Sequence, residues 1–226
     1  MIRENLEEVR RRVAAACARS GRKPEDVTLI AVSKTKPLAA LSAAYAVGVR
    51  DFGENKVQEI LDKSPGMPED TRFHMIGHLQ RNKVKQVIDK TVLIHSVDSV
   101  RLAEQIETEA AKLGIQVDIL LEINVAGEES KYGFSLAEAE EKLLLISRMP
   151  HVHICGLMTI APFVSNSEEN RDIFKKLSNF YVDMGIKNID NVSMSVLSMG
   201  MTGDYEVAVE EGATMIRVGT GIFGTR

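Results

Sequence analysis

Short apolar runs recur along the chain, and the stretches between them carry apolar residues at helical spacing. Eight runs read as strands: 27–34 (VTLIAVSK), 49–55 (VRDFGEN), 72–79 (RFHMIGHL), 92–98 (VLIHSVD), 117–125 (VDILLEINV), 152–160 (VHICGLMTI), 191–200 (NVSMSVLSMG) and 214–221 (TMIRVGTG). Strands alternating with helices are the signature of βα units around a parallel sheet. Two of the helical segments, SVRLAEQIETEAAKLG (99–114) and SLAEAEEKLLLISRM (135–149), open on a serine suited to capping the first turn.

Eight strands with seven intervening helices fit a TIM-type (β/α)8 barrel better than an open doubly wound sheet. The chain reaches Arg226 almost directly after the eighth run. An amphipathic segment at about 2–20 is therefore expected to complete the outer ring in place of an eighth helix. The stretches KSPGMPED (63–70) and APFVSNSEEN (161–170) read as loops, and no linker, repeat or low-complexity tract divides residues 1–226 into more than one domain.

Composition narrows the function classes. The chain is 44% hydrophobic over 226 residues, enough for one sizeable core. Its 28 basic and 32 acidic residues are spread along the sequence, which gives no basic patch for nucleic acid or an anionic membrane. Cys17 and Cys155 stand far apart without CxxC pairing, so both are expected to be buried, reduced thiols. No run of 18 apolar residues occurs, and a cytoplasmic, membrane-free protein is expected.

In barrels of this type the site lies at the C-terminal ends of the strands, with phosphate groups at the loops after strands seven and eight. Those positions hold SMGMTGD (198–204) and RVGTGIFG (217–224), both rich in Gly, Ser or Thr. Backbone N–H groups and hydroxyls there can cradle a phosphate without a side-chain cation. Gly219, Gly221 and Gly224 also satisfy G-x-G-x-x-G. The dinucleotide reading fails, because neither a long following helix nor a distal acidic residue fits in the two positions left.

Lys34 shares strand parity with Ile30 and Val32. Two readings of it stand: a solvated strand end, or a partly desolvated amine at the barrel mouth. Burial lowers a lysine pKa, which would make the amine nucleophilic enough for a Schiff base. Lys36, just before Pro37, is assigned to solvent. Asn55 and His74 stand on strands two and three, where each could line the mouth or serve as a hydrogen-bonded core residue. His74 and His78 lie too far apart along a strand for a shared metal, and Lys131 reads as a loop charge.

Taken together, AVSKTKP, FGEN, FHMIGHLQRNK, NVAGEESKYGF, GLMTI, LSMGMTGDYEVAV and IRVGTGIFG resemble the pyridoxal phosphate homeostasis protein family, in order and over nearly the whole chain. The resemblance implies a barrel like the N-terminal domain of alanine racemase, with pyridoxal 5'-phosphate (PLP) held as a Schiff base on Lys34. It implies that Ser198, Met199, Gly200, Gly219 and Thr220 hold the phosphate, that Arg217 approaches the pyridine nitrogen, and that Asn55 and His74 line the pocket. Thr202 stands where the family more often has serine, with the hydroxyl kept. Lys131 matches a family lysine with a suspected secondary role in PLP transfer.

An arginine at the pyridine nitrogen makes the ring a poorer electron sink. The chain also lacks residues for the C-terminal domain that racemases of this fold carry, and none of Tyr45, Tyr132, Tyr181 and Tyr205 is placed to act opposite the lysine. The leading expectation is a monomeric PLP carrier or buffer without catalysis, serving PLP-dependent apoenzymes. A PLP-dependent racemase or lyase, and a Schiff-base aldolase on a sugar phosphate, are the alternatives.

Overall fold

The computed structural model describes residues 1–128 and 130–224. Eight strands close into one barrel in chain order: β1 (Thr28–Val32), β2 (Asp51–Glu54), β3 (Arg72–Met75), β4 (Leu93–Val97), β5 (Val117–Glu122), β6 (Val152–Met158), β7 (Val192–Met201) and β8 (Met215–Val218). Every pairing is parallel, and β1 meets β8 from Thr28↔Met215 to Ala31↔Val218. The expected TIM-type barrel is thus the observed one. Most strands are shorter than the apolar runs, because the ends of those runs bend into the turns that carry polar side chains.

Between the strands run α2 (Leu38–Ala46), α3 (Val57–Lys63), α4 (Val84–Val87), α5 (Val100–Leu113), α6 (Leu136–Ile146), α7 (Arg171–Ile186) and α8 (Tyr205–Glu210). Ser99 caps α5, its hydroxyl accepting from the Leu102 amide at 3.3 Å, and Gly114 ends that helix in the left-handed region. Ser135 precedes α6 but makes no such cap. Its hydroxyl donates to Glu138 Oε2 at 2.7 Å instead.

Period-two alternation divides the strand residues between two cores. Outward residues such as Ala31, Phe52, Phe73, Ile119, Ile154, Leu197 and Ile216 join the helices in one large apolar layer. Leu93, Leu120, Cys155 and Met158 form a separate small cluster inside the barrel. The interior is full at β2, where a Cβ on Gly53 would lie 2.9 Å from both Ile30 Cγ2 and Ile76 Cδ1. Cys17 and Cys155 are buried free thiols. Among the described residues no helix is long and apolar enough to cross a membrane.

The N-terminal helix α1 (Ile2–Arg19) lies against α8 and a final short turn, α9 (Thr220–Phe223), and touches α2. It occupies the place of an eighth barrel helix. Leu6, Val9, Val13, Ala16 and Cys17 form its buried stripe. Asn5 Nδ2 donates to Ile222 O at 3.0 Å, and Arg12 and Arg19 pair with Glu206 and Glu210 of α8. If this stripe closes the ring, Leu6→Ala should cost about 2–5 kcal/mol in urea unfolding, while Glu7→Ala on the exposed face should stay within about 0.5 kcal/mol. Equal, small effects would show that α1 is an appendage.

Candidate functional site

The C-terminal mouth of the barrel opens into a cavity of about 430 Å³. Its wall is made from the turns after β1, β2 and β3, the segment after β6 and the loops after β7 and β8.

The first of these presents Lys34. Strand β1 ends at Val32, and Ser33–Lys36 forms a turn closed by the Lys36 amide donating to Ser33 O at 3.0 Å. Thr35 takes a φ of 62°, a conformation that favours glycine. Ionic contacts hold it there. The Thr35 amide donates to both carboxylate oxygens of Glu59, at 2.9 and 3.2 Å. Ser33 Oγ donates to Glu54 Oε1 at 2.6 Å, and Lys63 Nζ reaches Glu54 Oε1 and Ser33 O, each at 2.8 Å. Glu54 and Lys63 are both buried. Burial, with Glu59 beside it, pushes the Glu54 carboxyl up to about 7 against the pull of Lys63 and Ser33.

Lys34 therefore sits past the strand rather than on it, and it is exposed. The expected partial desolvation is absent because the turn swings the residue clear of the strand. Its inward parity is nevertheless kept, since Val32 and Lys34 both line the cavity. Lys36 is not left to solvent. Half-buried, its Nζ donates to the carbonyls of Phe223 and Gly224 at 3.4 and 3.3 Å, pinning the C-terminal end of α9.

Beside this turn, after β8, the strand paired with β1, and after the next strand β7, lie the two Gly/Thr loops. Thr202, Gly203, Gly219 and Thr220 line the cavity. The amides of Gly219 and Gly221 donate to Thr202 Oγ1 at 3.3 and 3.4 Å, long bonds to a shared acceptor. A Cβ on Gly203 would meet nothing within 4 Å, and one on Gly219 would lie 3.3 Å from Val32 O. Asp204 fixes the loop after β7: Oδ1 accepts from the Met201 amide at 2.7 Å, and Oδ2 from Asn170 Nδ2 at 2.8 Å. A phosphate fits this cradle, because amides weakly held by one hydroxyl can turn to a stronger anionic acceptor.

Arg217 is buried beneath the cavity and also lines it. Its Nη1 donates to Ser198 Oγ at 2.6 Å and its Nη2 to Thr159 O at 2.8 Å. Burial holds its guanidinium down to about 10 against the carboxylates of Glu122 and Asp204. From Ser198 a chain of contacts descends through the barrel: to His95 Nδ1 at 2.9 Å, from His95 Nε2 to His74 Nδ1 at 3.0 Å, and from His74 Nε2 to Asp51 Oδ1 at 3.0 Å. Burial, then the charges of His74 and Arg217, holds His95 well below the usual histidine range. Asp51 is buried too, but hydrogen bonds from His74 and Arg72 outweigh that and bring it down to about 2. Arginine only donates and an ionised carboxylate only accepts. At one end Arg217 therefore donates to Ser198, and at the other His74 Nε2 donates to Asp51.

Of the expected site residues, the fold brings Lys34, Asn55, Arg217, Gly219 and Thr220 to the cavity. Ser198 and His74 lie below it, in the chain under Arg217. Met199 faces the outer apolar layer. Gly200 has a φ of 90°, and a Cβ there would fall 2.5 Å from Ala208 Cβ, so it serves the packing of α8 on β7. The reason is that β7 runs on to Met201, one residue past its expected end, and the loop begins at Thr202. Lys131 is off the cavity and pairs with Glu128 at 2.6 Å, while neighbouring Tyr132 stacks on His78 at 3.9 Å. Thr202 was legible only as a departure, and Asn170 and Asp204, 34 positions apart, gave no signal.

A family model for the alanine racemase N-terminal domain matches residues 2–226. The pyridoxal phosphate homeostasis protein of Aquifex aeolicus strain VF5 is 42% identical over 224 residues, covering 99% of this chain and 97% of that one. The PipY structures of Synechococcus elongatus PCC7942 are also similar. One, with PLP bound, matches at 36% identity and a TM-score of 0.85; the other, without PLP, at 37% and 0.88. Each covers 99% of this chain and 100% of that one. The chain belongs to the alanine racemase N-terminal domain family and, within it, to the pyridoxal phosphate homeostasis proteins.

Two tests follow from the buried groups. With Lys63 removed, Glu54 loses its counter-charge, so Lys63→Met should cost about 3–5 kcal/mol above neutral pH and less below pH about 7, where Glu54 holds its own proton. A cost independent of pH would mean that the ion pair does not hold the turn. Burial and the nearby Asp98 carboxylate also raise Glu122 to about 7, with Arg217 opposing. A raised carboxyl stabilises the fold fully below its ordinary value and loses that contribution as pH rises through the folded one. Wild type should therefore lose stability relative to Glu122→Gln between about pH 4.5 and about pH 7. A flat difference in melting temperature across that window would refute the assignment.

Proposed function

We propose, proceeding from this family membership, that the chain binds PLP in the mouth cavity and holds it for delivery to PLP-dependent apoenzymes, without turnover of its own. The observation that carries the reading is the placement of the Lys34 amine and the Thr202–Gly203 and Gly219–Thr220 cradle on walls of one cavity, with Arg217 at its base. PLP carries its aldehyde and its phosphate arm on neighbouring ring carbons, which matches an amine on the turn after β1 beside an anion cradle after β8, the strand paired with β1.

When bound, PLP supplies an electrophilic aldehyde carbon and a conjugated ring. Lys34 is the amine that would hold the aldehyde, its position set by the Glu54–Lys63–Glu59 clamp rather than by burial. Thr202 and the amides of Gly219 and Gly221 receive the phosphate. Arg217, already donating to Ser198 and Thr159 O, would present a fixed cation to the pyridine nitrogen and disfavour its protonation. Ser198 and His74 act on the site through Arg217, and Asn55 contributes to the wall. Asp204 shares the wall, but both its carboxylate oxygens are engaged in fixing the loop. Holding and release fit this arrangement better than a two-base reaction, which needs a free second base facing the lysine.

Purified protein should gain a visible absorption band on adding PLP, and borohydride should fix a mass adduct on Lys34 that Lys34→Ala lacks and Lys36→Ala keeps. An adduct on Lys36, or no uptake of PLP, would sink the reading. In deuterated water, holo protein with single amino acids should show no sustained α-proton exchange. Exchange that disappears in Lys34→Ala would make the protein an enzyme.

A further inference from the structure

The opposite, N-terminal mouth of the barrel holds a second constellation. Asp118 on β5 and His153 on β6 are paired directly across the sheet. Cys155 follows two residues after His153, and the pairing jumps there from Ile119↔Ile154 to Leu120↔Gly156. Cys155 is thus the extra residue of a bulge, a device that re-aims a side chain. It faces the barrel interior beside Leu93, Leu120 and Met158. His153 Nδ1 lies 2.8 Å from Asp118 Oδ1 and 3.4 Å from Cys155 Sγ, and the three donor atoms all lie within 4.8 Å of one another. Asp118 and Cys155 also border a cavity of about 320 Å³, walled in addition by Thr28, Asp51 and Arg72 at the starts of β1, β2 and β3.

The geometry excludes a catalytic relay. In a Cys–His–Asp relay the thiol and the carboxylate use different ring nitrogens, one accepting and one donating. Here both approach Nδ1, which can carry only one hydrogen. Three donors converging on one point are instead what a cation requires. Sulfur, imidazole and carboxylate are the ligand set of zinc-class ions, with bond lengths of about 2.0–2.3 Å that put tetrahedral ligand atoms roughly 3.3–3.7 Å apart. The nitrogen–sulfur separation already meets this, and the exposed Asp118 carboxylate, at 2.8 Å from Nδ1, would open away from the ring to admit the ion. One thiolate and one carboxylate cancel a double positive charge, so the loaded site would be neutral despite its buried sulfur.

We propose that Asp118, His153 and Cys155 form a three-ligand site for a zinc-class divalent metal at the barrel floor, with the fourth position open to the floor cavity. Binding exchanges the Cys155 thiol proton for a metal–sulfur bond and releases that proton to solvent. In the empty site the Nδ1 hydrogen of His153 is donated to Asp118, so binding also moves that hydrogen to Nε2 through solvent and leaves the Nδ1 lone pair for the metal. No electron is transferred. The site is independent of Lys34 and of the PLP reading, since it lies at the other end of the strands.

Zn²⁺ titrated into the full chain from a chelator buffer should bind at one equivalent. Asp118→Asn, His153→Ala and Cys155→Ser should each weaken it at least tenfold, while Lys34→Ala binds as wild type. Cobalt-minus-zinc difference spectra should show a sulfur charge-transfer band that Cys17→Ser keeps and Cys155→Ser loses. Asp118 is exposed, so its variant tests the site even if Cys155→Ser proves unstable, with circular dichroism as the folding control. Absence of stoichiometric binding would overturn the proposal. So would affinity unchanged in Asp118→Asn and Cys155→Ser, or affinity lost in Lys34→Ala.

Discussion

A permanent positive charge is buried inside the barrel at Arg217, and much of the interior is arranged around it. Taking a guanidinium out of water is costly unless its hydrogens are accepted and its charge is met. Ser198 and the carbonyl of Thr159 accept from it directly, and Glu122 and Asp204 supply negative charge. Ser198 also meets His95, and the polar contacts continue through His74 to Asp51 at the floor. Two histidines can be buried in a barrel lined elsewhere by Leu93, Leu120 and Met158 because this chain satisfies them.

The mouth solves a different problem. Lys34 is exposed at the cavity rim, and lysine has a long, flexible stem. Restraint is applied here one step back, to the backbone. Glu54, Glu59 and Lys63 grip the turn residues Ser33 and Thr35 on either side of Lys34 and sustain a positive φ at a threonine. Lys36, two residues on, ties the same turn to the end of α9, the segment that follows β8.

Much of the fold was legible in the sequence because a parallel barrel writes its strands as dense apolar runs, and the inward parity of Ile30, Val32 and Lys34 followed from period two alone. Parity did not reveal where β1 stops, since that depends on Glu59, 24 residues away, accepting from Thr35. The two Gly- and Thr-rich loops were legible at the right strand ends, but β7 runs to Met201 instead of Gly200, so Met201–Gly203 and not Ser198–Gly200 line the cavity. Gly200 looked like a cradle glycine and is a packing one, because its close neighbour Ala208 belongs to the next helix. His74 read equally as wall or core. Only the long-range contacts with His95 and Asp51 place it in the core.

The two ends of the barrel differ in kind because of how strands begin and end. At the C-terminal end, strands release their chains into loops and short helical turns, so backbone amides become available and the mouth can bind an anion with glycine and threonine. At the N-terminal end, the donors are side chains on adjacent strands, fixed by register at sheet spacing, as Asp118 and His153 are. Such pairs suit charges that need several side-chain ligands at once. Asp51 shows the same economy: one carboxylate on the first residue of β2 closes the polar chain from Arg217, meets Arg72 at 2.6 Å, and leaves no uncompensated charge at that edge of the floor.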